Sequence, residues 1–208
     1  MVRDGYKFAI PPLVLGLVAL GFGWRWSGAV LIGAIFVLLG AFVVYFFRDP
    51  ERRIPGDAAA IVSPADGRVM EVVEEELDGR RGRRISIFLA IWNVHVNRAP
   101  ASGRIERVEH RCGKFYAAMR SRASVENEQN LIYLATERGE IMFKQIAGWV
   151  ARRVVCWKRP ADTVTIGERF GLIRFGSRMD LWLPEGVEIL AAPGQHVSGG
   201  ASIVARWK

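Results

Sequence analysis

Sulfur and imidazole are scarce in this chain: its 208 residues include two cysteines and three histidines. Cys112 and Cys156 stand far apart with no CxxC step, so neither a disulfide framework nor a zinc site is indicated, and a reducing compartment is the default. No metal is expected. Also missing are a G-x-S-x-G elbow, a phosphate-cradling P-loop, an HExxH pair and a dinucleotide fingerprint, which leaves the common hydrolase, nucleotide and metalloprotease readings without support. The 22 glycines follow no triplet period, and 24% charged with 11% aromatic residues is not the composition of a disordered chain. The net charge of +8 comes from both signs interspersed, with no recognition motif, so nucleic acid is not an expected partner.

Charge itself is missing from one region. Residues 1–47 hold only Arg3, Asp4, Lys7 and Arg25 as charges, and residues 27–47 form an uncharged run of 21. At ~1.5 Å per residue that run reaches ~31 Å, the thickness of a hydrocarbon core, and predicts a transmembrane helix. Residues 8–23 are also uncharged, but Pro11 and Pro12 near the start leave open whether the segment spans, re-enters or lies at the interface. Trp24 and Trp26 flank Arg25 between the runs, a composition suited to a membrane–water boundary. The expectation is a membrane-anchoring helical hairpin over residues 1–47. Arg3 and Lys7 before it and Arg48, Arg52 and Arg53 after it place both ends on the cytoplasmic side of the inner (cell) membrane.

Beyond residue 47 the period changes to that of strands. Residues 67–73, 84–91, 104–110, 131–136, 140–150, 170–175, 179–183, 187–190 and 202–207 are short, rich in Val, Ile and aromatics, and bounded by Gly, Pro or charged turns. Residues 48–208 are therefore expected to form a mainly β domain. The GxxVxxG turn near the C-terminus suggests a biotinyl-like β-sandwich or barrel. Residues 112–130 show no strand pattern and predict a long loop with at most a short helix, a candidate cover for a substrate.

Three short constellations carry candidate chemistry. Ser63-Pro64-Ala65-Asp66-Gly67 sets a carboxylate in a tight turn before a strand. Asn93-Val94-His95-Val96-Asn97-Arg98-Ala99-Pro100 ends an apolar strand. Phe175-Gly176-Ser177-Arg178 lies between two apolar strands. Taken singly, each has a bland reading: a self-capped turn, a core histidine, an ordinary Gly-Ser turn.

In this order, behind a membrane hairpin, they are more specific. The segments FFRDPERRIP, VSPADG, NVHVNRAP, VENEQN, QIAGWVARR and RFGSRMD closely resemble the short-chain phosphatidylserine decarboxylase family, which includes members acting on archaetidylserine. The resemblance implies a proenzyme that cuts itself between Gly176 and Ser177, leaving a β chain of residues 1–176 and an α chain of residues 177–208. Ser177 would become a covalent pyruvoyl group, the only cofactor. Its ketone would take the amine of membrane phosphatidylserine as a Schiff base and act as electron sink while carbon dioxide leaves, giving phosphatidylethanolamine.

Within that resemblance His95 is the expected base for the Ser177 hydroxyl, with Asp66 holding the imidazole, by the logic of a serine triad. Longer family members have two histidines three residues apart here, whereas this chain has Arg98 at the second position. Arg98, Asn127, Glu128, Lys144, Arg152 and Arg153 lie in family-like stretches and are candidates to meet the lipid phosphate or carboxylate. His110 and His196 receive no role. The partners implied are the phospholipid and the α and β chains as a heterodimer, with any higher oligomer left open. A rival class remains: a membrane-anchored, non-enzymatic biotinyl-like β module in which Gly176-Ser177 is a plain turn.

Overall fold

The computed structural model describes residues 1–120, 122–149, 153–174 and 176–208. The chain divides into two compact units, Met1–Glu51 and Arg52–Lys208.

The first unit is a pair of helices, α1 (Arg3–Gly21) and α2 (Ser27–Phe46). Residues 8–21 of the first uncharged segment are helical, with Pro11 and Pro12 inside the helix. The helices run antiparallel and touch through glycines: a Cβ on Gly16 would meet the Val37 backbone nitrogen at 2.8 Å, and one on Gly33 the Gly16 carbonyl at 2.9 Å. Small residues at such contacts let apolar helices approach closely. Among the described residues α2 is the one helix long and apolar enough to cross a membrane.

The second unit is mainly β. Its strands are β1 (Ala60–Val62), β2 (Gly67–Leu77), β3 (Arg80–Leu89), β4 (Val96–Arg98), β5 (Gly103–Arg111), β6 (Gln129–Thr136), β7 (Gly139–Ala147), β8 (Val154–Cys156), β9 (Thr163–Val164), β10 (Arg169–Ile173), β11 (Ser177–Pro184), β12 (Val187–Ile189), β13 (His196–Val197) and β14 (Ile203–Trp207). A four-residue helix, α3 (Ala123–Glu126), interrupts the expected 112–130 loop. Eight strands form one curled antiparallel sheet in the order β13-β2-β3-β11-β7-β6-β5-β9, and two three-stranded sheets, β1-β14-β12 and β4-β10-β8, complete the domain.

The β2–β3 hairpin runs well past its apolar part. Asp78 and Gly79, at φ 50° and 75°, make the tight turn favoured between twisted strands. Glu74 faces Arg83 and Glu76 faces Arg81 across the ladder, so opposite charges rather than apolar alternation carry the strands to the turn.

β11 lies between β3 and β7, and its alternation separates two environments. Met179, Leu181 and Leu183 enter the main core with Ile85, Ile87, Phe143 and Phe170. Arg178, Asp180 and Trp182 take the opposite face, where Trp182 packs with Leu131, Tyr133 and Met142. The expected strand at 179–183 therefore begins earlier, at Ser177, which makes this serine part of the ladder.

Candidate active site

Ser177 pairs with Leu89 on one side and Ala147 on the other, so its main chain is fixed at the centre of the large sheet. Its side chain takes the core-facing side with Met179 and is fully buried. The hydroxyl Oγ has no hydrogen-bond partner among the described residues. Leaving a buried polar group unpaired costs about 1–3 kcal/mol, so it is a feature that needs a reason.

The residue before it is held in a left-handed conformation, with Gly176 at φ +64°. A Cβ there would touch nothing within 4 Å, so glycine is required by the backbone angle and not by space. At Gly148 the reverse holds. A Cβ on Gly148 would lie 1.9 Å from the Gly176 carbonyl oxygen. Gly148 lies in the segment QIAGWVARR, but its role as the floor beneath that carbonyl has no sequence signature. Gly148→Ala is expected to push the carbonyl aside; a displacement of ~1 Å at a reacting group costs roughly 100-fold in rate. Pulse-labelled protein followed by gel should then show uncut chain persisting far longer than in the wild type, and normal processing would remove Gly148 from the site.

His95 lies between β3 and β4 and is buried. The Gly176 N–H points at its Nε2 over 3.4 Å, and an N–H can only donate, so Nε2 is the acceptor. The ring proton is then on Nδ1, which donates to the Asn93 carbonyl at 2.9 Å. Asn93 is itself fixed by a local turn, accepting from the Ala90 N–H through Oδ1 at 2.8 Å. The result is a neutral imidazole whose basic nitrogen meets the Gly176 N–H, one peptide before the Gly176-Ser177 bond.

Asp66 was expected to hold this imidazole, and the structure gives its carboxylate other partners. It accepts from Arg52 Nη2 at 2.7 and 2.9 Å and from the Gly199 N–H at 2.8 Å. A backbone carbonyl two residues from His95 stands where the carboxylate was expected. The Asp66 turn still reaches the strand after His95, because the Arg98 N–H donates to the Pro64 carbonyl at 2.9 Å.

A row of buried amides lies beside Ser177. Gln145, opposite Met179, donates through Nε2 to Asn97 Oδ1 at 2.8 Å and to the Val155 carbonyl at 3.1 Å. Its Oε1 accepts from Asn130 Nδ2 at 3.0 Å, and Asn130 Oδ1 accepts from His110 Nδ1 at 2.8 Å. Each amide orientation is thereby set, and Asn97 Nδ2 is left buried with no acceptor among the described residues. Asn97 follows His95 by two residues, the strand spacing that returns a side chain to the same face. None of these amides was singled out from the sequence.

The expected lipid-binding residues fall in several places. Lys144 is buried on the other face of β7, its Nζ 3.4 Å from Ser124 Oγ and its register partner Asp180. Burial lowers its pKa, against the charge of Asp180. Arg178 fills the same face, with Nε 2.6 Å from Asp180 Oδ1 and Nη2 3.0 Å from Glu71 Oε1. Burial alone would raise the Glu71 pKa, but hydrogen bonds and charge from Arg84 and Arg178 outweigh it and the carboxyl stays below its ordinary value. Lys144 thus lies on the side of the sheet that Ser177 does not face. Arg98 is also buried, donating to the Gly167 carbonyl at 3.1 Å.

Asn127 and Glu128 tie the covering loop to the site. Asn127 Nδ2 donates to the carbonyls of Ala147 and Tyr116, at 2.7 and 2.9 Å, and Oδ1 accepts from the Tyr116 N–H at 2.9 Å. The Glu128 carbonyl accepts from the Ala147 N–H at 2.9 Å. Arg153 is exposed. Arg152 and Phe175 lie outside the described residues.

Among the described residues no group of three His, Cys, Asp or Glu side chains is placed to hold a metal. The described residues form a mainly β domain that follows, in sequence, one helix long and apolar enough to cross a membrane. The family profile described as phosphatidylserine decarboxylase matches residues 39–205, and the chain belongs to that family. Membership makes its activity a decarboxylation of the phosphatidylserine type, that of a carboxy-lyase in phospholipid metabolism.

Proposed function

We propose that the protein is a proenzyme that cuts its own chain between Gly176 and Ser177 and then converts phosphatidylserine to phosphatidylethanolamine. The observation that carries this reading is the buried, unpartnered Ser177 hydroxyl directly after a left-handed glycine whose own N–H is met by an imidazole nitrogen, one peptide before the proposed cut.

The chain's own residues account for the cut. The Ser177 hydroxyl gives its proton to His95 Nε2 as Oγ attacks the Gly176 carbonyl carbon. The 3.4 Å bond from the Gly176 N–H to that nitrogen is long and is exchanged for the hydroxyl at small cost. The C–N bond breaks, the proton passes to the amine of residue 177, and an ester joins Gly176 to Oγ. Asn97 Nδ2, two residues beyond His95, is a buried donor without an acceptor among the described residues. Loss of the Cα proton with departure of the Gly176 carboxylate leaves dehydroalanine, and water converts it to a pyruvoyl group with release of ammonia.

The residues present fit such a group: it would begin β11, held between Leu89 and Ala147, on the face with the orphaned polar atoms. Once formed it supplies a ketone for the substrate amine and an electron sink for the departing carbon dioxide. Arg153, exposed, is a candidate for the lipid's anionic headgroup, as is Arg152, which lies outside the described residues. The basic residues flanking the helical hairpin support a cytoplasmic face for the domain.

Denaturing mass spectrometry tests the reading. Two chains are expected in place of one of 23.2 kDa, the smaller spanning residues 177–208 and reacting with phenylhydrazine. The same preparation in nanodiscs should turn phosphatidylserine into phosphatidylethanolamine. A serine ether lipid in a parallel arm separates the diacyl from the archaeal substrate. A single chain, inert to phenylhydrazine and to both lipids, would support the non-enzymatic β module instead.

A further inference from the structure

Three large apolar side chains stand in water around the mouth of the site: Trp92, Met119 and Trp149, at 64, 63 and 69% exposure. Trp92 and Met119 line one groove of about 480 Å³ with Arg68 and His196, immediately beside Asn93, the partner of His95. The Ala118 Cβ lies 3.5 Å from the position of a Cβ on Gly148, and that position is 1.9 Å from the Gly176 carbonyl. Trp149 therefore follows the glycine packed against the Gly176 carbonyl, and Met119 follows an alanine packed beside that glycine. A solvated rim of two tryptophans and a methionine is unusual unless something apolar covers it.

The charges interleaved with this rim are cationic. Arg68, Arg120, Arg122 and Arg153 are exposed, and Glu126 on the covering loop is taken by Lys114 at 2.9 Å. Tryptophan with arginine is the composition of a headgroup layer, where the ring sits at the boundary and the cation meets anionic lipid. We propose that this rim docks directly on an anionic bilayer, seating the Gly176-Ser177 site at headgroup depth so that the lipid reacts without leaving its leaflet. The proposal rests on the lipid-decarboxylase reading above, and commits to a lipid surface as the occupant.

Its test uses the full chain in nanodiscs. In a Cys112→Ser, Cys156→Ser background, a polarity-sensitive fluorophore is placed at Trp92→Cys, at Met119→Cys, or at Glu137→Cys in the exposed β6–β7 turn at the far end of those strands. Lipids brominated on the acyl chains should quench the first two probes and spare the third, and 1 M salt should weaken the quenching. In a second arm the Trp92→Ser, Met119→Ser protein is given phosphatidylserine in vesicles and as a soluble short-chain form. The vesicle-to-soluble rate ratio should fall about tenfold. Quenching at 92 and 119 no greater than at 137, energy transfer between two labelled copies in place of lipid quenching, or an unchanged rate ratio would each overturn the proposal. Wild-type protein inactive on both lipid forms would end the decarboxylase reading, and the quenching arm would still decide the docking.

Discussion

Ser177→Ala protein is expected to stay a single chain of 23.2 kDa, with no fragment of residues 177–208 at any time after synthesis. The substitution removes the one oxygen that can accept the acyl group from Gly176, so the rate falls to that of the bare peptide bond rather than by a modest factor. Folding is not at risk. The hydroxyl makes no hydrogen bond among the described residues, and the β11 ladder to Leu89 and Ala147 uses the main chain alone. Removing an unpaired buried hydroxyl should leave the thermal midpoint unchanged or slightly raised. Recovery of the small fragment from this variant would mean that an outside protease makes the cut.

His95→Ala is expected to accumulate uncut chain as well, but with slow processing over hours. Removing a general base typically costs ~10²-fold to 10⁴-fold, or ~3 to 5 kcal/mol of barrier. Asp66→Asn should behave differently. Its carboxylate binds Arg52 and the Gly199 N–H, and it reaches His95 through the Pro64-to-Arg98 contact, so it is a positioning residue for the strand that follows the imidazole. Processing should slow while keeping the wild-type dependence on pH, because the ring's hydrogen-bond partner, the Asn93 carbonyl, is untouched. A shifted pH dependence in Asp66→Asn would restore the carboxylate as the imidazole's partner. Processing of His95→Ala at the wild-type rate would leave the Ser177 hydroxyl without an identified base.

The parts of the molecule legible in the sequence are those whose physics is local. The uncharged run that becomes α2 needs no partner to be read, and the short runs rich in Val, Ile, Leu and aromatics that become β3, β6 and β11 are legible from their own composition. Glu74–Glu76 and Arg80–Arg83 look like a solvated stretch because their stabilisation comes from one strand facing the other. Strands of two or three residues, such as β4, β8, β9 and β13, are too short to show a period. At the site, the Gly-Ser step and His95 stood out through the family resemblance of the segments that hold them. The carbonyl of Asn93 did not, since every residue has one. The burial of Lys144 was not legible either, because a lysine in a strand looks exposed until its register partner proves to be Asp180. Arg178 and Asp180, two apart in an otherwise apolar strand, did carry the signal of a buried ion pair on one face.

β11 has both of its neighbours, β3 and β7, on the far side of the proposed cut, and β13 and β14 likewise pair with β2 and β1. Before cleavage the domain assembles from one molecule, and its folding rate is independent of concentration. Afterwards the same native state has to be reached by two molecules finding each other, with the middle strand of the sheet arriving last or not at all. The mature protein can then be durable in use yet unable to recover from denaturation in dilute solution. Refolding yield should rise with protein concentration for cleaved material and not for Ser177→Ala, a difference in molecularity that follows from where one strand sits in the sheet.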